Sequence, residues 1–246
     1  ESPAVVLASS TPANCFDWAY QASKITLEHN TPVILLSDGY LGNGAEPWKI
    51  KSTNDMPKIN PNVAREGDDY LPYARDKKIL SRKIAIPGTK GLEHRLGGLE
   101  KEDITGNVSY DPENHEKMCK IRSEKINRLS NIIPEQKIYG NESGNLLVIG
   151  WGGTFGSLYS AVDTLLKDEN SVGLCHFNYI NPLPRNTKEI LSKFNRIVVC
   201  ELNAGQFANY LRMNFQGFVF EQYNKLQGFP FTSIELESHF KLLLSK

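Results

Sequence analysis

The sequence predicts an α/β protein with a mostly parallel sheet, and two patterns indicate it. In residues 144–246, short apolar strands ("NLLVIG", "VGLCHF" and "RIVVCEL") alternate with helical segments at 157–167, 187–194 and 205–214. In residues 1–45, the strands "AVVLAS" and "PVILLS" flank a further segment with helical spacing. Near-continuous apolar strands joined by helices are typical of parallel sheets that are covered on both faces.

These patterns divide the chain into three predicted regions. A sheet of only two strands cannot bury both of its faces. Residues 1–45 are therefore expected to be the last part of a domain that lies mostly upstream. The missing initiator Met agrees with a chain that begins inside a longer polypeptide. Residues 46–143 are polar, irregular and rich in Pro and Gly, which predicts a long connecting arm with one helix at about 112–132. Residues 144–246 are predicted to form a three-layer α/β domain that ends with the amphipathic helix "SIELESHFKLLLSK".

Charge and cysteine content limit the classes of protein to which this sequence can belong. The 28 basic and 28 acidic residues cancel, so the composition predicts no general attraction to nucleic acid or to an anionic membrane. The apolar runs are too short to span a bilayer, and no signal-peptide pattern opens the chain. The four cysteines contain no C-x-x-C pair, which argues against an iron–sulfur cluster or a zinc ribbon within this chain. We therefore expect a cytoplasmic protein with reduced thiols.

The segment "VIGWGGTFGSLYSAV" raises the possibility of a dinucleotide site. Its glycines, Gly150, Gly152, Gly153 and Gly156, give a displaced version of the G-x-G-x-x-G fingerprint. The next strand ends in "CHFNYINP", without the carboxylate that would bind a ribose hydroxyl. We therefore interpret these glycines as a tight strand-to-helix turn that serves as scaffold. A stand-alone nucleotide-binding module remains the alternative.

A second motif, "LLSDGYLGNG", resembles the Asp-Gly sequence that binds Mg²⁺ and diphosphate in thiamine-diphosphate enzymes. Ser37 replaces the first glycine of that motif, and no Asn-Asn pair follows at the expected distance. Asp38 is therefore predicted to cap a turn at the carboxyl end of its strand. No pair among the five histidines has metal-ligand spacing, so the sequence predicts neither a metal site nor a catalytic residue in this chain.

The arm carries basic side chains that are suited to bind an anion. Arg82, Arg95 and Lys101 could neutralise a carboxylate or a phosphate, and His94 adjoins Arg95 in "GLEHRLGGLEKE". A solvated polar loop is the alternative for each of these residues.

Three stretches together resemble one family. "PVILLSDGYLGNGAEPWKI", "IPGTKGLEHRLGGLEKEDITGNVSYDPENHEKM" and "ELNAGQFANYLR" are similar to the alpha subunit of 2-oxoacid:ferredoxin oxidoreductases, above all the type that acts on 2-oxoglutarate. The last region also resembles the C-terminal domain of transketolase-like thiamine enzymes. The resemblance covers essentially the whole chain. It implies that residues 1–45 end the pyrimidine-side domain, 46–143 form the arm and 144–246 form the transketolase-C-terminal-like domain.

The resemblance also implies an activity and partners. Such enzymes decarboxylate a 2-oxoacid oxidatively, giving acyl-CoA, CO2 and reduced ferredoxin with thiamine diphosphate, Mg²⁺ and iron–sulfur clusters. The family's cofactor-binding residues lie mostly upstream or in a beta subunit, so this portion is expected to bind no cofactor alone and to be inactive alone. The expected partners are the beta subunit, ferredoxin through the complex, and a second copy of the chain in a homodimer.

Within this family two groups of residues are of interest, the first chosen by its chemistry without a family motif and the second implied by the resemblance. Arg82, His94, Arg95 and Lys101 become candidates to approach substrate or coenzyme A from the arm. The segment "ELNAGQF" begins a helix that supports subunit packing in the family. Its residues of interest are Glu201, Asn203, Gly205 and Gln206, with Asn203 expected to cap the helix and Gly205 to permit the turn. A pure assembly domain, whose arm only wraps a partner, is a further alternative.

Overall fold

The computed structural model describes residues 2–245, which contain seven α-helices and ten β-strands. The helices are α1 (Cys15–His29), α2 (Gly39–Asn43), α3 (Pro112–Arg128), α4 (Phe155–Lys167), α5 (Thr187–Ser192), α6 (Gln206–Asn214) and α7 (Ser233–Leu244). The strands are β1 (Val5–Ala8), β2 (Val33–Leu36), β3 (Val63–Ala64), β4 (Ile84–Ala85), β5 (Tyr139–Gly140), β6 (Gly144–Trp151), β7 (Val172–Phe177), β8 (Tyr179–Asn181), β9 (Phe194–Glu201) and β10 (Glu221–Asn224).

The described residues form two compact units. The first comprises residues 2–7, 17–35 and 49–133, and the second comprises residues 8–16, 36–48 and 134–245. The chain therefore leaves the first unit and returns to it before the second unit is completed. The three-region division from the sequence stays a prediction, and each unit is described separately below.

In the first unit, hydrogen bonds join helix α1 to the polar segment that the sequence predicts as an arm. The Tyr20 hydroxyl donates to the Pro57 carbonyl oxygen at 2.6 Å, and Lys24 Nζ donates to the Lys58 carbonyl oxygen at 3.0 Å. From α3, Lys125 Nζ donates to the Asn30 carbonyl oxygen at 2.7 Å, directly after α1 ends. The negative end of the helix dipole favours a cation there, but burial and the nearby Arg82 and Arg75 outweigh it and lower the pKa of Lys125 to about 8. The segment is thus anchored along α1 and at its carboxyl end.

The second unit is built on a five-stranded sheet with the order β10-β9-β6-β7-β5. The β10–β9, β9–β6 and β6–β7 pairs are parallel, and only the edge strand β5 is antiparallel to its neighbour. The central strands β6, β7 and β9 are almost wholly buried, as expected for parallel strands with helices on both faces. The predicted mostly parallel sheet is confirmed.

The two faces of this sheet carry two separate hydrophobic cores. Along β6, Leu146 and Val148 belong to one core, and Leu147 and Ile149 belong to the other, because successive side chains of a strand point to opposite faces. Helices α4 and α7 supply apolar side chains to the first core, and α5 and α6 supply them to the second. The predicted three-layer α/β arrangement is therefore confirmed.

We expect Phe240→Ala to lower the free energy of unfolding by about 3–5 kcal/mol, since it removes a fully buried ring of α7 from the first core. Leu242→Ala is the matched control on the same helix, because that side chain is 52% exposed and should cost far less. Urea titration of both variants measures the difference. Equal losses of unfolding free energy in the two variants would contradict the assignment of Phe240 to the buried face of α7 and of Leu242 to its exposed face.

Candidate functional site

A cavity lies in the second unit at the carboxyl ends of three parallel strands. Strands β6, β9 and β10 end at Trp151, Glu201 and Asn224. Together with the α2 segment, the loops that follow these strands enclose a volume of ≈ 600 Å³. Its walls include Asp38, Tyr40, Trp151, Asn203, Gln206 and Phe229. In open α/β sheets, ligands bind outside the carboxyl ends of the strands, so this cavity is the candidate site of the unit.

The glycine turn between β6 and α4 forms one wall. Gly152 has φ 63°, a left-handed conformation that a side chain rarely tolerates. A Cβ atom on Gly150 would collide with the Leu158 side chain, and one on Gly153 would lie 2.5 Å from Asp38 Oδ2. Gly156, in contrast, has open space around it. For three of the four glycines, the backbone conformation or close packing within this chain therefore explains why the residue has no side chain.

The Asp38 carboxylate is hydrogen-bonded to the backbone of this glycine turn. Its Oδ2 accepts a hydrogen bond from the Gly153 N–H at 2.9 Å, and its Oδ1 accepts one from the Leu41 N–H at 2.9 Å. Asp38 is thereby the N-cap of α2, a short helix at the place where the sequence predicted a capped turn. Helix N-termini bind phosphate through free backbone N–H groups. A carboxylate already bound there repels a second anion, so the geometry favours the scaffold interpretation over a nucleotide site.

The opposite wall depends on a buried carboxylate, Glu201, which is 0% exposed. Its Oε1 accepts hydrogen bonds from Trp151 Nε1 at 3.1 Å, from Asn203 Nδ2 at 3.0 Å and from the Phe207 N–H at 2.9 Å. Its Oε2 accepts one from the Ala208 N–H at 3.0 Å. A buried charge must be compensated by donors, and four are present. Glu201 thus fixes the start of α6 and orients the indole of the cavity wall.

Asn203 and Gly205 complete the start of α6. Asn203 Oδ1 accepts hydrogen bonds from the Gly205 N–H at 2.8 Å and from the Gln206 N–H at 2.9 Å. Gly205 has φ 86°, so the turn needs a residue without a side chain. The Gln206 side chain lines the cavity. A role of these residues in subunit packing stays a prediction.

The four basic candidates of the arm lie in the first unit, in different surroundings. The Arg82 guanidinium donates to the Pro72 carbonyl oxygen at 3.3 Å and stacks 4.2 Å from the centroid of the Tyr73 ring. Lys101 is 2% exposed, and its Nζ donates to the Leu99 carbonyl oxygen. Both side chains therefore already bind groups of this chain.

His94 and Arg95 lie on the surface of the same unit. His94 Nδ1 is 2.7 Å from the Leu92 carbonyl oxygen, which can only accept, so Nδ1 is the donor. The His94 ring also lies 5.2 Å from the Tyr70 ring. Arg95 is exposed and is the best placed of the four to meet an external anion.

The described residues do not fit a magnesium–diphosphate site. Both oxygens of Asp38 accept backbone hydrogen bonds, and Ser37 stands where the motif has its first glycine. Among the residues that the structure describes, no three His, Cys, Asp or Glu side chains come together in a way that could hold a metal ion. Within residues 2–245, no helix combines the length and the apolar character needed to cross a lipid bilayer.

Comparison with known proteins places this architecture in a class. The family described as "Pyruvate flavodoxin/ferredoxin oxidoreductase, thiamine diP-bdg" matches residues 1–111. The solved structure of 2-oxoglutarate:ferredoxin oxidoreductase from Magnetococcus marinus, with 2-oxoglutarate, coenzyme A and succinyl-CoA bound, has a TM-score of 0.89 at 25% identity. That match covers 99% of this chain and 42% of the solved chain. The fold of this chain is thus that of the matching part of the solved 2-oxoglutarate:ferredoxin oxidoreductase.

Curated relatives make the resemblance specific. The 2-oxoglutarate oxidoreductase subunit KorA of Mycobacterium tuberculosis is 41% identical over 238 residues, which is 96% of this chain and 36% of the relative. The 2-oxoacid:ferredoxin oxidoreductase 1 subunit alpha of Aeropyrum pernix is 26% identical over 232 residues, 91% of this chain and again 36% of the relative. The chain is homologous to these alpha subunits, as the sequence predicted. It spans about a third of their length.

We expect Gly153→Ala to lower the free energy of unfolding by about 1.5–3 kcal/mol, because the new methyl group displaces the Asp38 carboxylate from its charged hydrogen bond. Gly156→Ala is the control at the same turn. Its space is open and it lies inside α4, so it should be neutral or stabilising by up to about 1 kcal/mol. Denaturant titration compares the two. The cost at Gly153 should shrink in an Asp38→Ala background, and an unchanged cost there would refute the contact.

Proposed function

We propose that the protein is part of the alpha subunit of a 2-oxoacid:ferredoxin oxidoreductase. The complete enzyme would decarboxylate the oxoacid oxidatively and yield acyl-CoA, CO2 and reduced ferredoxin. The observation that carries this proposal is the 41% identity with a 2-oxoglutarate oxidoreductase subunit over 96% of the chain. The structural match at a TM-score of 0.89 supports it independently of that relative.

We infer that the second unit serves the enzyme as scaffold. Asp38 accepts a hydrogen bond from one backbone N–H of the glycine turn before α4, and Glu201 accepts from two at the start of α6. Thiamine diphosphate and Mg²⁺ would be held by residues outside this chain, because the described residues do not fit them. We therefore derive no chemical step from this unit, and expect the chain to need a beta subunit for turnover.

We propose 2-oxoglutarate as the oxoacid. The relative from Mycobacterium tuberculosis is named for it, and the solved enzyme from Magnetococcus marinus holds 2-oxoglutarate, coenzyme A and succinyl-CoA. Both 2-oxoglutarate and coenzyme A are anions that exposed guanidinium groups bind well. Of the arm candidates, Arg95 is our choice for such a contact, because Arg82 and Lys101 already bind groups of this chain.

In the complex reconstituted from the full-length alpha subunit and its beta subunit, we expect 2-oxoglutarate and coenzyme A to support reduction of a viologen dye, and the chain alone to show none. Arg95→Ala should raise the KM for one anionic substrate about tenfold, the value of one lost charge-assisted hydrogen bond. Lys90→Ala removes a charge from an exposed position of the same segment and should change little.

These measurements test the class of enzyme, the oxoacid substrate, the scaffold role and the role of Arg95 separately. No turnover with 2-oxoglutarate, but turnover with pyruvate, would refute the substrate and keep the class of enzyme. Turnover by the isolated chain would refute the scaffold role. Equal kinetics for Arg95→Ala and Lys90→Ala would remove Arg95 from the substrate site.

A further inference from the structure

One face of α3 carries three reactive or charged side chains at helical spacing. His115, Cys119 and Arg122 stand at positions i, i+4 and i+7, which places them on one side of the helix. Glu100, from the loop that precedes α3, completes the group. We call these four residues the Cys119 cluster. It lies in the first unit, and nothing in the proposed function uses it.

Glu100 is the anchor of the cluster. It is 2.7 Å from His115 Nδ1 and accepts two hydrogen bonds from the Arg122 guanidinium, at 3.3 Å each. Partial burial raises the pKa of Glu100, but the hydrogen bonds from Arg122 and His115 outweigh it and lower the pKa to about 2. The carboxyl group is therefore ionised near neutral pH and can only accept hydrogen bonds. His115 must donate from Nδ1.

This assignment fixes the role of the other ring nitrogen. When His115 is neutral and carries its proton on Nδ1, Nε2 has a free lone pair and acts as an acceptor. Nε2 lies 3.7 Å from the Cys119 sulfur. The same sulfur accepts a hydrogen bond from Arg122 Nη2 at 3.1 Å. The thiol thus has a base that can take its proton and a cation that stabilises the thiolate.

The arrangement contains the parts of an activated nucleophile. A sulfur nucleophile adjoins a histidine, and a carboxylate orients that histidine from its far side. The thiolate is the reactive form of cysteine, and neighbouring Arg or His groups favour it. Cys119 is partly exposed, so a small reagent can reach it.

The other cysteines of the chain lack these features. Cys175 and Cys200 are buried in the two cores, where burial raises the pKa of both thiols. Cys15 is partly exposed like Cys119, but its sulfur donates to the Thr11 carbonyl oxygen at 3.4 Å. Cys15 therefore offers an internal control with similar exposure and with its thiol bonded to a carbonyl.

We propose that Cys119 is a modification site that exchanges with low-molecular-weight disulfides and so gives the protein a reversible thiol switch. The Cys119 thiolate attacks one sulfur of the disulfide, a new sulfur–sulfur bond forms, and the old one breaks. The leaving thiolate takes a proton that His115 received from Cys119. Cys119 is oxidised and the departing sulfur is reduced, so electrons and protons balance. An added free thiol reverses the exchange.

The proposal is tested on the intact protein with oxidised glutathione at neutral pH, and peptide mass spectrometry follows the adduct at each cysteine. We expect Cys119 to react at least about tenfold faster than Cys15, and the buried cysteines to react only on unfolding. Arg122→Leu should slow the reaction at Cys119 about tenfold, and Arg122→Lys should restore part of the rate. Lys120→Leu removes the same charge from an exposed position of α3 and should leave the rate unchanged.

Two results would overturn the proposal. Equal rates at Cys119 and Cys15 in the unmodified protein would show that the cluster does not activate the thiol, and this comparison needs no variant. Equal rates in Arg122→Leu and Lys120→Leu would show that the guanidinium contact has no effect. Melting temperatures of the variants confirm that each is folded. The outcome is independent of turnover, so it separates this proposal from the proposed function.

Discussion

The second unit depends on one contact, between the Asp38 carboxylate and the Gly153 N–H. The contact joins residues 115 positions apart and closes the glycine turn against the α2 segment. It is possible only because Gly153 has no side chain, since a Cβ atom would displace the carboxylate. The same carboxylate caps α2, so a single side chain fixes both the turn after β6 and the segment after β2. A carboxylate from within the chain thus bonds the glycine turn just before α4, a kind of place where other folds bind phosphate.

The start of α6 is satisfied in the same manner. Glu201 accepts from two backbone N–H groups of that helix, and Asn203 accepts from a third, while the Trp151 indole completes the set of donors. Two helix starts at one edge of the sheet are therefore occupied by acceptors of the chain itself. What remains available around the cavity is mainly aromatic and amide surface, from side chains such as Tyr40, Phe229 and Gln206. This surface suits a scaffold or packing role better than phosphate recognition.

The sequence predicted the regular core well, because its strands are near-continuous apolar runs. Strand β7 lies at the residues of "VGLCHF", and α4 and α6 lie within about two residues of their predicted bounds. The edge strands β5 and β10 were missed, since the short segments "YG" and "EQYN" carry no hydrophobic pattern typical of a strand. The glycine-rich helix α2 was missed for a similar reason, because its propensity is poor and Asp38 supplies the cap.

The candidate sites contain long-range contacts that a single sequence does not predict. The scaffold role of the glycines was predicted from a missing carboxylate, yet Asp38, which bonds the turn, lies far away in sequence. In the Cys119 cluster, the spacing of His115, Cys119 and Arg122 was visible along α3. Glu100 was not, because no local pattern indicates which loop residue folds back on a helix. Long-range polar pairs depend on tertiary structure, and a pattern of hydrophobic residues does not encode them.

The most direct test of this account is the thermal melting of the protein with and without saturating NAD, FAD or ADP. A ligand that binds the native state must raise the melting temperature. With the Asp38 carboxylate at the glycine turn, no nucleotide should shift it. A rise with any of the three that is lost in Gly153→Ala would show that the turn binds a nucleotide, and would contradict the account.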